Sequence, residues 1–364
     1  MGRCPKGMLN GPCGGYRGDY CEVAGECVWV DVYKKLCKDG SKCLEVFTKV
    51  NLGPYFKIRD YVPPPLRISS KFIELLNRGS ALAYEVFSRP VDLDLRVLVK
   101  LLGRLANYVD AYVLVDSPMG LVTYDQLTLA SIARTHFSNV DVILNLSARD
   151  KSLDELSKYI VTAVNSGVSN FIVVTGDWPR NAGNALFALD STQLIYLIRL
   201  LSDLGINHSG RRVGIGGKAA HVGVAANQYS DYIDLEVLRT VRKLKCGAEF
   251  IATQPIYSVS RFREFIRRVK SLYLDIKVLA TYAILDSVKR LEIIDGLGIK
   301  LSHSEKEYLT SLLKSNDVIV ANELIIRKML EEVRDLIDGI YISSYGNINL
   351  ALKFLSNVSI KSIM

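Results

Sequence analysis

Six of the seven cysteines in this 364-residue chain (Cys4, Cys13, Cys21, Cys27, Cys37 and Cys43) fall within the first 43 residues, and only Cys246 lies elsewhere. The opening segment, MGRCPKGMLNGPCGG, has no apolar signal-peptide core, so a cytoplasmic protein is expected. In such a compartment disulfides are disfavoured and clustered thiols read as metal ligands. Cys246, at the end of a helical pattern, reads as a small buried hydrophobe.

A second set of reactive side chains stands at the ends of short apolar runs. Side chains alternate across a strand. ALAYEVF therefore puts Ala81, Ala83 and Glu85 on one face, with the carboxylate at the far end. The same parity sets Phe171, Val173, Thr175 and Asp177 on one side of a later strand. Asn145, Ser147 and Gln254 close two others. Each alone reads as a loop residue or a surface ion pair; converging on one rim, they make a polar site.

The elements that must carry them begin near residue 71. Strands are expected near 81–87, 111–115, 141–146, 170–175, 221–226, 249–254, 277–281 and 338–343, with helix-period segments between them. This alternation predicts an α/β fold, a (β/α)8 TIM barrel, with its active site at the C-terminal strand ends. The stretch from Asp286 to Leu336 reads as several helices before the last strand.

Ahead of the barrel, residues 1–50 are too poor in periodic apolar residues to fold unaided. They are expected to form a small cysteine-rich metal-binding or iron–sulfur module. Residues 51–70, with a triple proline, read as a linker laid over its neighbour, and 71–364 as the barrel.

Hydrophobic residues make up 49% and no apolar run approaches the roughly 20 residues of a membrane span, so no membrane partner is expected. The net charge is +8, but basic residues are scattered. Arg261, Arg263, Arg267, Arg268 and Lys270 read as a solvated helix face. Residues 1–60 hold ten Lys/Arg against seven Asp/Glu, without the basic, aromatic-interleaved face of a nucleic-acid site.

At these same residues the chain resembles the methylenetetrahydrofolate reductase family. ALAYEVF is similar to its first-strand motif, and VILNLSARDKSLDELSKYIVTAVNSGVSNFIVVTGDWP to the stretch ending in Gly-Asp-x-Pro. VGVAANQYSD looks like its fifth strand and loop, and LRTVRKLKCGAEFIATQPIY like its basic helix followed by Thr-Gln.

The resemblance implies a non-covalent flavin, FAD with FMN possible. It also implies hydride transfer from reduced flavin to a methylene-tetrahydropterin, of tetrahydrofolate or tetrahydromethanopterin type, giving the 5-methyl form. NAD(P)H or ferredoxin would supply electrons, and a homo-oligomer or a partner redox subunit is possible. By the same resemblance Glu85 is the general acid, Asp177 contacts pterin and flavin, and Gln254 reads the pterin ring. Asn145 and Ser147 would contact the isoalloxazine, Asn227 stands in the loop near the adenine half, and Arg242 and Lys243 lie near the diphosphate.

The chain departs from the family after its Thr-Gln, with Pro255-Ile256-Tyr257-Ser258, and in the loop Asn227-Gln228-Tyr229, which keeps FMN open. The amino-terminal run resembles a small cysteine-rich domain that accompanies some of these reductases. There Cys4, Cys13, Cys21 and Cys27 would hold zinc or a [4Fe–4S] cluster, with Cys37 and Cys43 as possible extra ligands. The alternative is a non-redox pterin-binding or methyltransferase barrel with a structural zinc module.

Overall fold

A computed structural model describes residues 4–39, 41–64, 70–89, 91–179, 184–215 and 219–364. Eight parallel strands, β1 (Ala81–Val86), β2 (Ala111–Val115), β3 (Asp141–Ser147), β4 (Asn170–Val174), β5 (His221–Ala226), β6 (Phe250–Thr253), β7 (Lys277–Ala283) and β8 (Gly339–Ser343), close in sequence order into a barrel. Closure runs through β8 and β1, with Ala81 opposite Gly339 and Tyr84 opposite Ile342. All eight expected strands are present, each displaced by two residues or fewer.

The helices are α1 (Val28–Leu36), α2 (Ser41–Thr48), α3 (Lys71–Asn77), α4 (Leu95–Leu105), α5 (Gln126–His136), α6 (Leu153–Asn165) and α7 (Ser191–Arg199). They continue with α8 (Ile233–Lys245), α9 (Val259–Leu272), α10 (Val288–Gly296), α11 (His303–Ser315), α12 (Val318–Val333), α13 (Ile348–Asn357) and α14 (Ile360–Ile363). The seventh repeat does hold several helices, α10 to α12. Among the described residues no helix is long and apolar enough to cross a membrane.

The barrel interior is a small core of its own. Ala81 and Ala83 meet Val113, Ile143, Ile172, Phe250, Ala252 and Leu279, and α3 closes the base with Phe72, Ile73 and Leu76. The Phe72 and Phe250 rings meet edge to face with centroids 6.0 Å apart. Gly223 makes room for this packing, since a Cβ there would lie 2.2 Å from the Phe250 ring. The alternate residues, Leu82, Tyr84 and Val86 among them, face the larger core under the helices.

One parity expectation is corrected. On β4 it is Ile172 that points into the barrel, while Phe171 and Val173 pack outward under the helices. Asp177 nevertheless reaches the rim, because the chain has left the strand after Val174 and turns at Gly176, whose φ of +96° breaks the alternation.

Helices α7 and α8 depart from the usual barrel helix with a wet outer face. All nine residues of α7 are buried, and on α8 the buried set includes Glu236, Arg239, Arg242 and Lys243. The amino-terminal segment covers them. Asp190 forms a capping box at the start of α7, and its other oxygen accepts from the Asn10 backbone and side-chain N–H groups at 3.0 and 2.9 Å. Phe47, Val30 and Cys27 pack on Leu235 and Leu238 of α8.

Candidate active site at the barrel mouth

Glu85 ends the inward face of β1, as the alternation requires. Its Oε2 accepts from the Tyr341 hydroxyl at 2.9 Å and its Oε1 from Ser343 Oγ at 2.7 Å, both donors lying on β8. Burial raises its pKa above the ordinary carboxyl value, and the two hydroxyl bonds only partly oppose that shift. A carboxyl held by neutral hydroxyls in a desolvated pocket keeps its proton at higher pH than a free one, which is what a general acid requires.

Across the mouth, the ends of β2 to β6 border an open cavity of about 250 Å³. Asn145, Thr175, Asp177, Asn227, Lys243 and Gln254 line it. Asn145 Oδ1 is buried without a hydrogen-bond donor. Asp177 is exposed at the rim, where its Oδ2 accepts from Met119 N at 2.6 Å.

Gln254 is anchored by its main chain. Gln228, fully buried, donates to Gln254 O at 2.8 Å and accepts from Gln254 N at 3.1 Å, leaving the Gln254 side chain exposed. The neighbouring Tyr229 hydroxyl donates to Pro255 O at 2.9 Å and accepts from Tyr257 N and Ser258 N. The two segments that looked unusual in sequence therefore interlock, and Gln228 and Tyr229 are structural partners of the site that strand parity had no means to find.

Three expected positions stand differently from one another. Ser147 is buried and sits behind Gly176; its Oγ accepts from Arg149 N at 3.1 Å, and it is not among the cavity-lining residues. Lys243 does line the cavity and donates to Ala225 O at 3.1 Å, its pKa pulled down to about 7 by burial and by the neighbouring Arg239 and Arg242 charges.

Arg242 does not share that position. Consecutive residues on a helix point about 100° apart, and Arg242 turns to the amino-terminal segment, donating to Phe47 O at 2.9 Å and to Asn10 O. Arg242 thus clamps the segment and is not among the residues that line the cavity. Glu236 and Arg239, which pair with each other one turn earlier on α8, line the cavity in its stead.

The amino-terminal cysteines also divide. Cys13 lines the barrel cavity with Gly14 and Gly15, 3.5 Å from Glu22 Oε1, its thiol pushed up to about 11 by burial. Cys27 has Cys21 and Cys4 as its electrostatic thiol neighbours. Among the described residues no group of three or more His, Cys, Asp or Glu side chains is placed to hold a metal ion. The four-thiolate set is therefore not assembled as a metal site among the described residues. Cys37 and Cys43, the possible extra ligands, form a disulfide.

A family model described as methylenetetrahydrofolate reductase matches residues 72–344, about three-quarters of the chain. This chain belongs to the methylenetetrahydrofolate reductase family. A second model, methylene-tetrahydrofolate reductase C terminal, matches residues 1–51, which here precede the reductase barrel. No curated protein matches.

Among solved structures, a Clostridium thermocellum protein described as binding two copies of 5-methyl-5,6,7,8-tetrahydrofolic acid superposes with a TM-score of 0.57 at 18% identity, covering 80% of this chain and 99% of its own. At that identity the likeness concerns the fold alone. An EDTA monooxygenase from Chelativorans sp. BNC1 reaches a TM-score of 0.49 at 14% identity over 77% of this chain and 92% of its own.

The cavity of this reductase-family barrel suits the ring end of a flavin. The orphaned Asn145 side-chain carbonyl calls for a ring N–H donor; Thr175, Asn227 and Gln254 add mixed donors and acceptors, Val115 and Ala226 an aliphatic surface, and Asp116, Glu236, Arg239 and Lys243 charged groups around them.

Proposed function

We propose that this chain is a flavin-dependent reductase that converts a 5,10-methylene-tetrahydropterin to its 5-methyl form. The observation that carries the reading is the pairing of unlike polar groups on one mouth: a desolvated, hydroxyl-held Glu85 on the β1–β8 side, and the orphaned Asn145 acceptor with Asp177 and Gln254 on the other. A bound flavin would supply the hydride. Asn145, Thr175 and Asn227 would hold its ring, and Lys243 would place a titratable cation beside it.

In this reading Glu85 gives its proton to N10 of the substrate as the methylene–N10 bond breaks. That leaves the N5 iminium, whose carbon then accepts the hydride. Tyr341 and Ser343 keep the carboxyl aimed; their donated bonds favour the anion, and burial outweighs them to raise the pKa. Gln254, its backbone locked by Gln228, presents an amide to the pterin's donor–acceptor edge, and Asp177 presents a carboxylate to the same ligand. We further read residues 1–50, 51–70 and 71–364 as segment, connector and reductase barrel.

The test is to purify the chain without oxygen, add FMN or FAD in turn, bleach any bound flavin by chemical reduction, and follow the return of its colour on adding methylene-tetrahydrofolate. A bound flavin that reoxidises on adding the methylene substrate supports the reading. A chain that binds 5-methyltetrahydrofolate but neither flavin favours the non-redox pterin-binding alternative.

A further inference from the structure

The amino-terminal segment touches the barrel mouth at one place with unusual economy. Lys6 is almost fully buried and donates from Nζ to Gly176 O at 2.7 Å. The same ammonium pairs with Glu22 Oε1 at 2.5 Å and lies 4.8 Å from the centre of the Phe187 ring. Glu22 Oε2 in turn accepts from Trp178 N at 3.4 Å. The two members of one ion pair thus hold the residue before Asp177 and the residue after it.

That stretch of barrel needs such a grip. Gly176 is left-handed, and a Cβ there would lie 2.2 Å from Ser147 Oγ, so the residue must be glycine and contributes no side chain to fix its own position. On the other side, Gly15 is the residue that admits Glu22, since a Cβ there would lie 1.8 Å from Glu22 Oε1. Two glycines on opposing segments let the pair close over the loop, and Cys13, Gly14, Gly15 and Glu22 become one wall of the cavity that Asp177 and Gln254 line.

We propose that Lys6 and Glu22 are positioning residues of the ligand site, fixing Asp177 from outside the barrel, so that the amino-terminal segment is a working part of pterin binding. This rests on the role given to Asp177 above. The pair touches the main chain on both flanks of Asp177 rather than its carboxylate, so it sets where that carboxylate stands without altering its chemistry. Misplacing a site group by about 1 Å costs up to about 100-fold, which sets the scale.

The experiment uses the full chain and 5-methyltetrahydrofolate as probe, with equilibrium binding read from tryptophan fluorescence. Lys6→Met and Glu22→Gln should each weaken probe binding by about tenfold, and Lys6→Arg should recover part of it. In the Asp177→Asn background the same changes should have little further effect, because the group they position is gone. Lys34→Ala, which breaks the exposed Lys34–Asp19 pair of the same segment, should bind the probe as the native chain does.

Equal weakening in both backgrounds would make the pair a general latch and overturn the proposal. Native-like binding by Glu22→Gln and Lys6→Met, alongside weak binding by Asp177→Asn, would overturn it while leaving the role of Asp177 intact. Native-like binding by Asp177→Asn itself would remove the role of Asp177, and the positioning role with it.

Discussion

The two sides of the barrel mouth carry the same functional group in opposite settings. Glu85 on β1 is held entirely from within the barrel, by two neutral hydroxyls of the adjacent strand, and burial lifts its pKa. Asp177 lies beyond the end of β4, exposed, receiving a backbone N–H from Met119 and gripped on both flanks by the amino-terminal segment. A carboxyl in a pleated strand inherits its position from the sheet, whereas one after a left-handed glycine must be placed by something else. The first arrangement suits a proton donor, the second an anionic contact for a ligand.

The sharpest way to break this contrast is Glu85→Gln. We expect it to retain flavin and lose methylene reduction by about 10²- to 10⁴-fold; near-native turnover would move the acid elsewhere. The sign of the pH effect follows from the raised pKa. The protonated, donating form persists to higher pH than for an ordinary carboxyl, so the rate should be full on the acid side and fall as pH rises through that value. Glu85→Gln should lack this alkaline fall.

On the other side, Gly176→Ala forces a Cβ against Ser147 Oγ at a positive φ. It should weaken 5-methyltetrahydrofolate binding by about tenfold or more, and unchanged binding would show that the loop does not place Asp177. Gly223→Ala serves as the counterpart within the barrel. Overpacking against Phe250 should cost about 1–3 kcal/mol in denaturant unfolding, and with Glu85 still held by β8 its effect should fall on stability more than on turnover.

A pH test concerns Lys243. Its folded pKa, about 7, is depressed below the ordinary lysine value of 10.5, so between those values the unfolded chain binds more protons and stability should rise with pH. Below about pH 7 both states are charged and the full burial penalty applies. Lys243→Met should flatten the rise, and an unchanged slope in pH-dependent unfolding would show that Lys243 is better solvated than its place in the cavity implies.

Much of the barrel was legible because its signals are local. Short apolar runs rich in Val, Ile and Ala marked every strand, and the alternation on β1 set Glu85 inward without reference to any distant residue. On β4 the parity is the reverse of that expected, since Ile172 and not Phe171 faces inward, and Asp177 still reaches the rim because the positive φ at Gly176, beyond the strand, breaks the alternation. Arg242 and Lys243 looked equivalent as neighbours in sequence, yet helix geometry sends one to the segment and the other to the cavity.

The sequence by itself determined the strand and helix order, the inward face of β1 and the concentration of thiols near the amino terminus, since each depends on spacing along a few residues. Only the tertiary structure decided that Cys13 lines the barrel cavity, that Cys37 and Cys43 pair, and that α7 and α8 lose their solvent face. It alone brought Lys6 and Glu22 to Gly176 and Trp178, more than 150 residues away. Such contacts depend on how two separately patterned segments dock, and docking leaves no period in the chain to read.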